Sequence, residues 1–409
     1  MASCRSTDSE VGQFWMHAAT AAALPLNIVH KAMRHRLIFL FVLLALKACT
    51  SPEVAVDHAE DVGGSAMSTG MWLVDSAPAL LIPDSSSDGA PDLLSPVAAT
   101  RLSGNVIVTA DRHIPSVQFL TIDGRVRREV GRRGGGPGEF QEITWLGQCA
   151  ADSVFVWDGV QGRITVLNSE GDYVRQYRVP PQTASLACNR SGMLAALDMP
   201  RDFRPPAPNG TSPHFRSRVT LQDALGSVIA TMDSIPALES RPLGKVTYMA
   251  VGRDELFVAT AESSYVDIYS LGGSKLRAVA VDVAPRAATE QDYAAAIEHL
   301  VSMLSRDSRE ASRRMLASFP MPEHVPVYSG VHVAPDGTLW VNIAAPGDPV
   351  TRLRGVRPDG SRIGDLVIPQ SVRVFEFGAD YILGAVPWED GTQRLAMFTL
   401  RWTEALADT

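Results

Sequence analysis

The sequence predicts an all-β fold, a six-bladed β-propeller of four-stranded antiparallel blades, and three observations carry that reading. Six short apolar runs recur along the chain: Val106–Asp111, Val154–Asp158, Met193–Asp198, Leu256–Thr260, Leu339–Ile343 and Ile382–Ala385. Where nothing interrupts them they repeat at 48 (Val106 to Val154), 39 (Val154 to Met193) and 43 (Leu339 to Ile382) residues, near the roughly 40–50 residues at which propeller blades repeat. An orphan strand pattern, Met71–Val74 with Ala79–Ile82, belongs to no meander of its own, while the last blade runs out of chain before its fourth strand. Lending the orphan to that blade closes the ring and removes an open sheet edge.

The blade after Gly131–Phe140 reads most plainly. Five glycines and a proline in those ten residues exclude a helix or a central strand. Four short runs follow, Ile143–Leu146, Asp152–Asp158, Arg163–Leu167 and Asp172–Val179, separated by glycine-containing turns, the pattern of an antiparallel meander. Asp123-Gly124, Glu170-Gly171, Gly272-Gly273 and Asp359-Gly360 recur between third and fourth strands, where tight hairpins call for glycine. Two blade intervals are longer, 63 (Met193 to Leu256) and 83 (Leu256 to Leu339), because each carries an insertion. Residues 200–214 are a proline-rich loop. Residues 286–319, between blades 4 and 5, are helical: Thr289 followed by Asp292 is a capping pair, and Tyr293, Ile297, Leu300 and Leu304 fall on one face. That stripe is expected to bury itself against the propeller rim. The opposite, charged face (Glu298, Arg306, Arg309, Glu310, Arg313, Arg314) would then roof the channel or meet a partner.

The segment Gly131-Arg-Arg-Gly-Gly-Gly-Pro-Gly-Glu-Phe140, with Asp158 and Arg163 in an Asp-x-x-x-x-Arg-Ile pattern, resembles the NHL-repeat and related bacterial six-bladed β-propellers. The resemblance implies a structural salt bridge between Asp158 and Arg163 across their hairpin. Other blades depart from it, with Ser116 at the Arg position of the first and Thr260 and Ile343 at the Asp position of the fourth and fifth.

Three parts divide the chain. Residues 1–49 read as a leader and lipoprotein-type signal peptide, with the true start expected at Met33. The apolar core Leu37–Leu46 is too short to span a bilayer, and Leu46-Lys47-Ala48-Cys49 resembles a bacterial lipobox, which makes Cys49 the expected lipidation site. Residues 50–70 are small and polar, a flexible tether, and residues 71–402 make the propeller. The predicted location is therefore the bacterial cell envelope, reached by export and held by a lipid.

Net charge is −8, which argues against a nucleic-acid partner, since such binding needs a basic face for phosphate. The nine histidines do not cluster, and no His-Glu-x-x-His, Cys-x-x-Cys, EF-hand or Gly-x-Ser-x-Gly pattern occurs, so no cofactor or metal is expected. The glycine-rich loop has the density of a phosphate cradle without the Gly-Lys-Ser/Thr ending or a following helix. Its adjacent Arg132 and Arg133 are candidate anion-binding residues. Trp145, Trp157, Trp340 and Trp388 suit blade cores. Cys149 and Cys188 each precede a second strand by five residues and so occupy equivalent places on neighbouring blades. An oxidising compartment permits a disulfide between them, and two buried thiols fit equally well.

No constellation specifies catalysis, so the expected function is a monomeric, envelope-anchored binding or scaffold module for an unidentified protein or small molecule. The alternative is a periplasmic or surface hydrolase or lyase working in the central channel. Three or more charged or histidine side chains gathered at the channel mouth would favour the alternative. An apolar or plugged channel, with an exposed patch on the insertion, would favour partner binding.

Overall fold

A computed structural model of the chain describes residues 70–82, 93–199, 216–236, 241–261, 263–302, 306–343, 348–368, 370–388 and 392–404. Cys49, the leader, the tether and the 200–214 loop lie outside the described residues. The rest folds as six antiparallel sheets arranged as a six-bladed propeller.

All six predicted runs are second strands of blades: Val106–Asp111, Ser153–Asp158, Leu194–Asp198, Glu255–Ala259, Leu339–Asn342 and Tyr381–Pro387. A second strand is covered on both faces by neighbouring blades, so it reads as a continuous apolar run rather than an alternating one. Val106–Asp111 is accordingly buried at every position. The fourth strand of the same blade, Val126–Val130, is exposed at all but its last residue and carries its charges there. Gly124, Gly171, Gly273 and Gly360 all take the left-handed conformation at the turns between third and fourth strands.

The apolar residues fall into wedges between adjacent blades. Phe119, Phe140, Ile143 and Val154 lie between blades 1 and 2. Trp340, Leu353, Val372 and Phe377 lie between blades 5 and 6. Each wedge buries its side chains only if both neighbours are present, so every blade depends on the next around the ring.

The ring closes as the sequence implies. Gly70–Val74 pairs antiparallel with the last strand, Gln393–Glu404, placing Trp72 opposite Trp402 and Val74 opposite Leu400. Leu80–Ile82 pairs further along the same strand, with Ile82 opposite Leu395. Ile82, 1% exposed, then fills the wedge between blades 6 and 1 with Leu93, Ile107, Leu120 and Leu383.

The insertion is two helices, α1 (Glu290–Ser302) and α2 (Arg306–Ala317). Its capping box forms reciprocally. Asp292 N–H donates to Thr289 Oγ1 (3.2 Å), and Asp292 Oδ2 accepts the Thr289 N–H (3.0 Å) and hydroxyl (2.6 Å). Arg286 grips both Asp292 oxygens at 2.8 Å; with the Thr289 bonds it holds that carboxyl far below the usual carboxylate range. The stripe behaves differently from expectation. Ile297 and Val301 pack with Tyr293 and Leu300 against Leu316, Met315 and Phe319, a small core of the insertion's own. Tyr293, Ala288 and Ala296 pack outward, with Leu243 and Val325. Leu304 lies outside the described residues. Two amphipathic helices in one hairpin cover each other before either covers the rim.

Candidate functional site

The innermost strands are Pro96–Leu102, Ile143–Ala150, Thr183–Cys188, Tyr248–Val251, Gly330–Val333 and Arg373–Phe377. They surround a central channel of about 1330 Å³. All six run the same way, so each begins at one face of the ring, called upper here, and ends at the other. Every crossover from an outermost strand to the next innermost one lies on the upper face, and so does the insertion.

The wall mixes apolar side chains, Trp145, Trp157, Phe375 and Phe377 among them, with polar ones such as Thr144, Ser185 and His332. Charged groups stand at both ends. At the lower end, Asn189 of blade 3 donates from Nδ2 to Gly252 O (2.7 Å) and Arg253 O (3.2 Å) of blade 4. Arg190 of blade 3 bonds Glu376 of blade 6, Nη2 to Oε1, at 3.1 Å. Blades 3 and 6 are diametrically opposed in a ring of six, so this pair is a bar across the lower mouth. Glu376 also accepts the Arg101 N–H (2.8 Å) and the Tyr381 hydroxyl (2.9 Å).

At the upper end stand Arg373, the first residue of its strand, and His299 and Leu300 from α1. Arg373 donates from Nη2 to Pro96 O and to Gln393 Oε1 (2.8 Å), and its guanidinium lies over the Phe375 ring, 5.0 Å from the centroid. Its Nε has no partner. Burial, with repulsion from Arg112, pushes it down to about 10, which Asp111 only partly offsets. Burial, then the nearby Arg373, pushes His299 below the usual imidazole value. Deeper in the channel, His332 sits 5.6 Å from the Phe377 ring, and burial drives it down to about 4.

The sequence-derived candidates lie elsewhere. Arg132 pairs with Glu139 of its own loop, Nη2 to Oε1 at 2.7 Å, and Arg133 reaches only Gln141 O at 3.5 Å. Neither lines the channel. Asp158 and Arg163 face each other in register but form no ion pair. Asp158 accepts backbone N–H groups from Gln141 (2.7 Å) and Gln161 (3.0 Å). Arg163 donates to Gly135 O, Gly136 O and Glu139 O at 2.7 to 3.0 Å. The glycine-rich crossover is thus clamped by an anion on its N–H groups and a cation on its carbonyls, each worth more to a buried side chain than a bond to the other. Asp111 does the same in blade 1, accepting N–H groups of Leu94, Ser95 and His113. Gly131 is required there, because a Cβ would stand 2.6 Å from the Phe140 ring at a φ of +103°.

Cys149 and Cys188 are disulfide-bonded, with Cα atoms 5.4 Å apart, joining the innermost strands of blades 2 and 3. Trp157 and Trp340 are buried, Trp145 and Trp157 border the channel, and Trp388 lies 37% exposed beneath the Arg394 guanidinium. The insertion reaches the channel through His299 and Leu300. On its charged face Arg313 forms exposed pairs with Glu298 (2.6 Å) and Glu310 (2.8 Å), and neither these nor Arg309 and Arg314 line the channel. Among the described residues no group of three or more His, Cys, Asp or Glu could hold a metal ion, and no helix is long and apolar enough to cross a membrane.

No model of a known protein family matches the chain, and no curated protein matches it. Solved structures do resemble it. A member of the DUF4221 family from Bacteroides vulgatus is 11% identical over 82% of this chain and 100% of its own, with a TM-score of 0.50. A candidate exported protein of Bacteroides fragilis is 10% identical, over 84% and 98%, with a TM-score of 0.45. Catalytically inactive virginiamycin B lyase from Staphylococcus aureus with quinupristin is 10% identical, over 81% and 99%, with a TM-score of 0.41. These neighbours are bacterial and propeller-like, and at such identities the likeness is one of fold alone.

Proposed function

We infer that this chain is an envelope-tethered binding module of NHL-like propeller type, and that its ligand enters the channel from the upper face, beside α1. The observation that supports it is the channel itself. Six innermost strands enclose about 1330 Å³, the Arg190–Glu376 bar crosses the lower mouth, and His299 and Leu300 stand at the upper one. A concave, largely apolar cavity with a few convergent polar groups is the usual form of a ligand site. The export and tethering half of the reading rests on Leu37–Leu46 and Cys49.

A hydrolase or lyase is the second reading, favoured by the charged and histidine side chains that line the channel, Asp198, His299 and Arg373 at its upper end among them, and by one arrangement there. His299 is held neutral near the buried Arg373 cation, so a general base and a group able to stabilise developing negative charge share one mouth of the channel.

Native mass spectrometry of the protein purified from its own envelope tests the binding reading. A small molecule retained by the wild type and lost when residues 286–319 are replaced by a short Gly-Ser bridge, with melting preserved, supports it. A ligand retained without the insertion rejects α1 as part of the site. Conversion of the retained molecule on incubation, abolished in His299→Ala, would move the assignment to an enzyme. Cys49→Ser is expected to shift the protein from the membrane to the soluble envelope fraction. A wild type that is already soluble, with an N-terminus other than Cys49, sinks the anchor.

A further inference from the structure

We propose that a second site, on the lower face between blades 5 and 6, takes one neutral saccharide ring. Of its lining residues only Asp336 also borders the channel, and the site does not depend on what the channel binds.

Ring closure builds the pocket. Trp72 of the first strand stands opposite Trp402 of the last. Their ring centroids are 5.3 Å apart and their planes are inclined at 65°, so the two indoles make an aromatic corner. Trp72 is fixed from behind by the buried Trp340, edge to face at 6.2 Å, and with Ile363 it packs against the wedge between blades 5 and 6. Blade 5 supplies the polar side from two turns. Asp336 and Thr338 come from the turn between its first and second strands, Arg357 from that between its third and fourth. These six residues line about 240 Å³. Drug-sized sites run to roughly 300–1,000 Å³, so this one has room for a single small ring.

The polar groups are oriented but still have bonds to give. Asp336 Oδ1 accepts the Thr338 N–H (2.9 Å) and Oδ2 its hydroxyl (3.0 Å), which leaves each oxygen a further lone pair. Among the described residues the Arg357 side chain bonds only Ser361 Oγ, at 3.4 Å. Asp359, outside the pocket, acts on that guanidinium from beyond ion-pair distance. Neither indole N–H of the corner has a partner among the described residues, and neither is buried.

Charge and hydrogen bonding together select the ligand. One carboxylate and one guanidinium line the pocket, so an anion meets Asp336 and a cation meets Arg357, although two indoles alone would suit a cation. A wholly apolar ligand would cover both charges and both N–H groups without replacing their bonds to water. A betaine matches the two charges but brings no hydrogen-bond donor to Asp336. A pyranose answers every group. Its C–H face is apolar and lies flat on an indole, while each hydroxyl at its edge both donates and accepts. Donation to Asp336 and acceptance from Arg357 are charge-assisted, the stronger kind of hydrogen bond.

The test is saturation-transfer NMR and tryptophan-fluorescence titration of the full chain. The probes are D-glucose, D-galactose, D-mannose, N-acetyl-D-glucosamine, choline, acetate and glycine betaine. At least one sugar is expected to bind with a low-millimolar Kd, the strength that one ring supplies, and more tightly than any of the three charged probes. Trp402→Ala should abolish that binding and Trp402→Phe should keep part of it. Arg357→Gln should weaken it about tenfold, because a charge-assisted bond becomes an ordinary one. Trp388→Ala, at an exposed tryptophan outside both sites, should change nothing. If Trp402→Ala disturbs ring closure, Arg357→Gln decides alone, since it alters a half-exposed turn residue outside the channel. Failure of all four sugars to bind overturns the inference, and so does a charged probe bound more tightly than every sugar. Sugar binding that survives Arg357→Gln unchanged belongs elsewhere on the molecule and overturns it too.

Discussion

Arg190 and Glu376 meet across the lower mouth of the channel, Nη2 to Oε1 at 3.1 Å, although they belong to blades on opposite sides of the ring. The two partners are unequal. Arg190 is 55% exposed, whereas Glu376 is 16% exposed and also accepts the Arg101 N–H and the Tyr381 hydroxyl. Arg190→Ala is therefore expected to cost under about 1 kcal/mol, the range of exposed pairs. Glu376→Ala strands two further donors and should cost about 1–3 kcal/mol. Urea unfolding of the two variants checks the ordering, and equal costs would mean that Glu376 is held by Arg190 alone.

Ring closure makes a second prediction. Ile82→Ala removes a fully buried side chain from the wedge between blades 6 and 1, at an expected cost of about 2–5 kcal/mol. Deleting residues 71–83 should leave an open edge on Gln393–Glu404 and drive aggregation, while deleting 50–68 should change nothing. A 71–83 deletion that melts at the wild-type temperature would contradict the pairing.

The disulfide gives a third. Cys149 and Cys188 are 39 residues apart in sequence, and a bridge over such a loop restricts the unfolded chain by about 4 kcal/mol. Replacing both cysteines by serine should lower the unfolding free energy by about that amount, and added reductant should lower the wild type to match. No response to reductant would mean that the bond is not formed in the purified protein.

Acid sensitivity gives a fourth. An unfolded histidine titrates near 6.5, whereas burial in the channel holds His332 at about 4. Below pH 6.5 the unfolded chain binds a proton that the fold refuses, so stability is whole above that value and falls progressively as pH drops toward 4. His299, also shifted down, adds in the same direction. His332→Gln should melt less steeply than wild type between pH 6.5 and 4.5, and parallel curves would show that His332 is not the group responsible.

How far the residues announced all this depends on how far apart the relevant neighbours lie. Val106–Asp111 and its five counterparts were legible because burial on both faces writes an unbroken apolar run into contiguous residues. The capping box at Thr289 and Asp292 was legible for the same local reason. Arg190, His299, His332, Arg373 and Glu376 were not, because four separate segments must come together in the ring before they face one cavity. Nothing near Arg373 in sequence marks it, whereas Arg132 and Arg133 drew notice by adjacency and proved to serve their own loop or lie outside the channel. Asp158 and Arg163 were located but misassigned, because each bonds the backbone in and just after the glycine-rich crossover instead of the other.

A ribosome delivers Gly70–Val74 long before its partner, Gln393–Glu404, and the pairing of Trp72 with Trp402 waits for nearly the last residues of the propeller. Until then five blades stand as an open arc with unpaired strands at both ends, and the first strand is free to find a wrong partner. Contacts of such sequence separation form slowly, and transiently exposed edges are where chains associate. The slow event in the maturation of this chain should therefore be the fastening of its first strand rather than the assembly of any single blade.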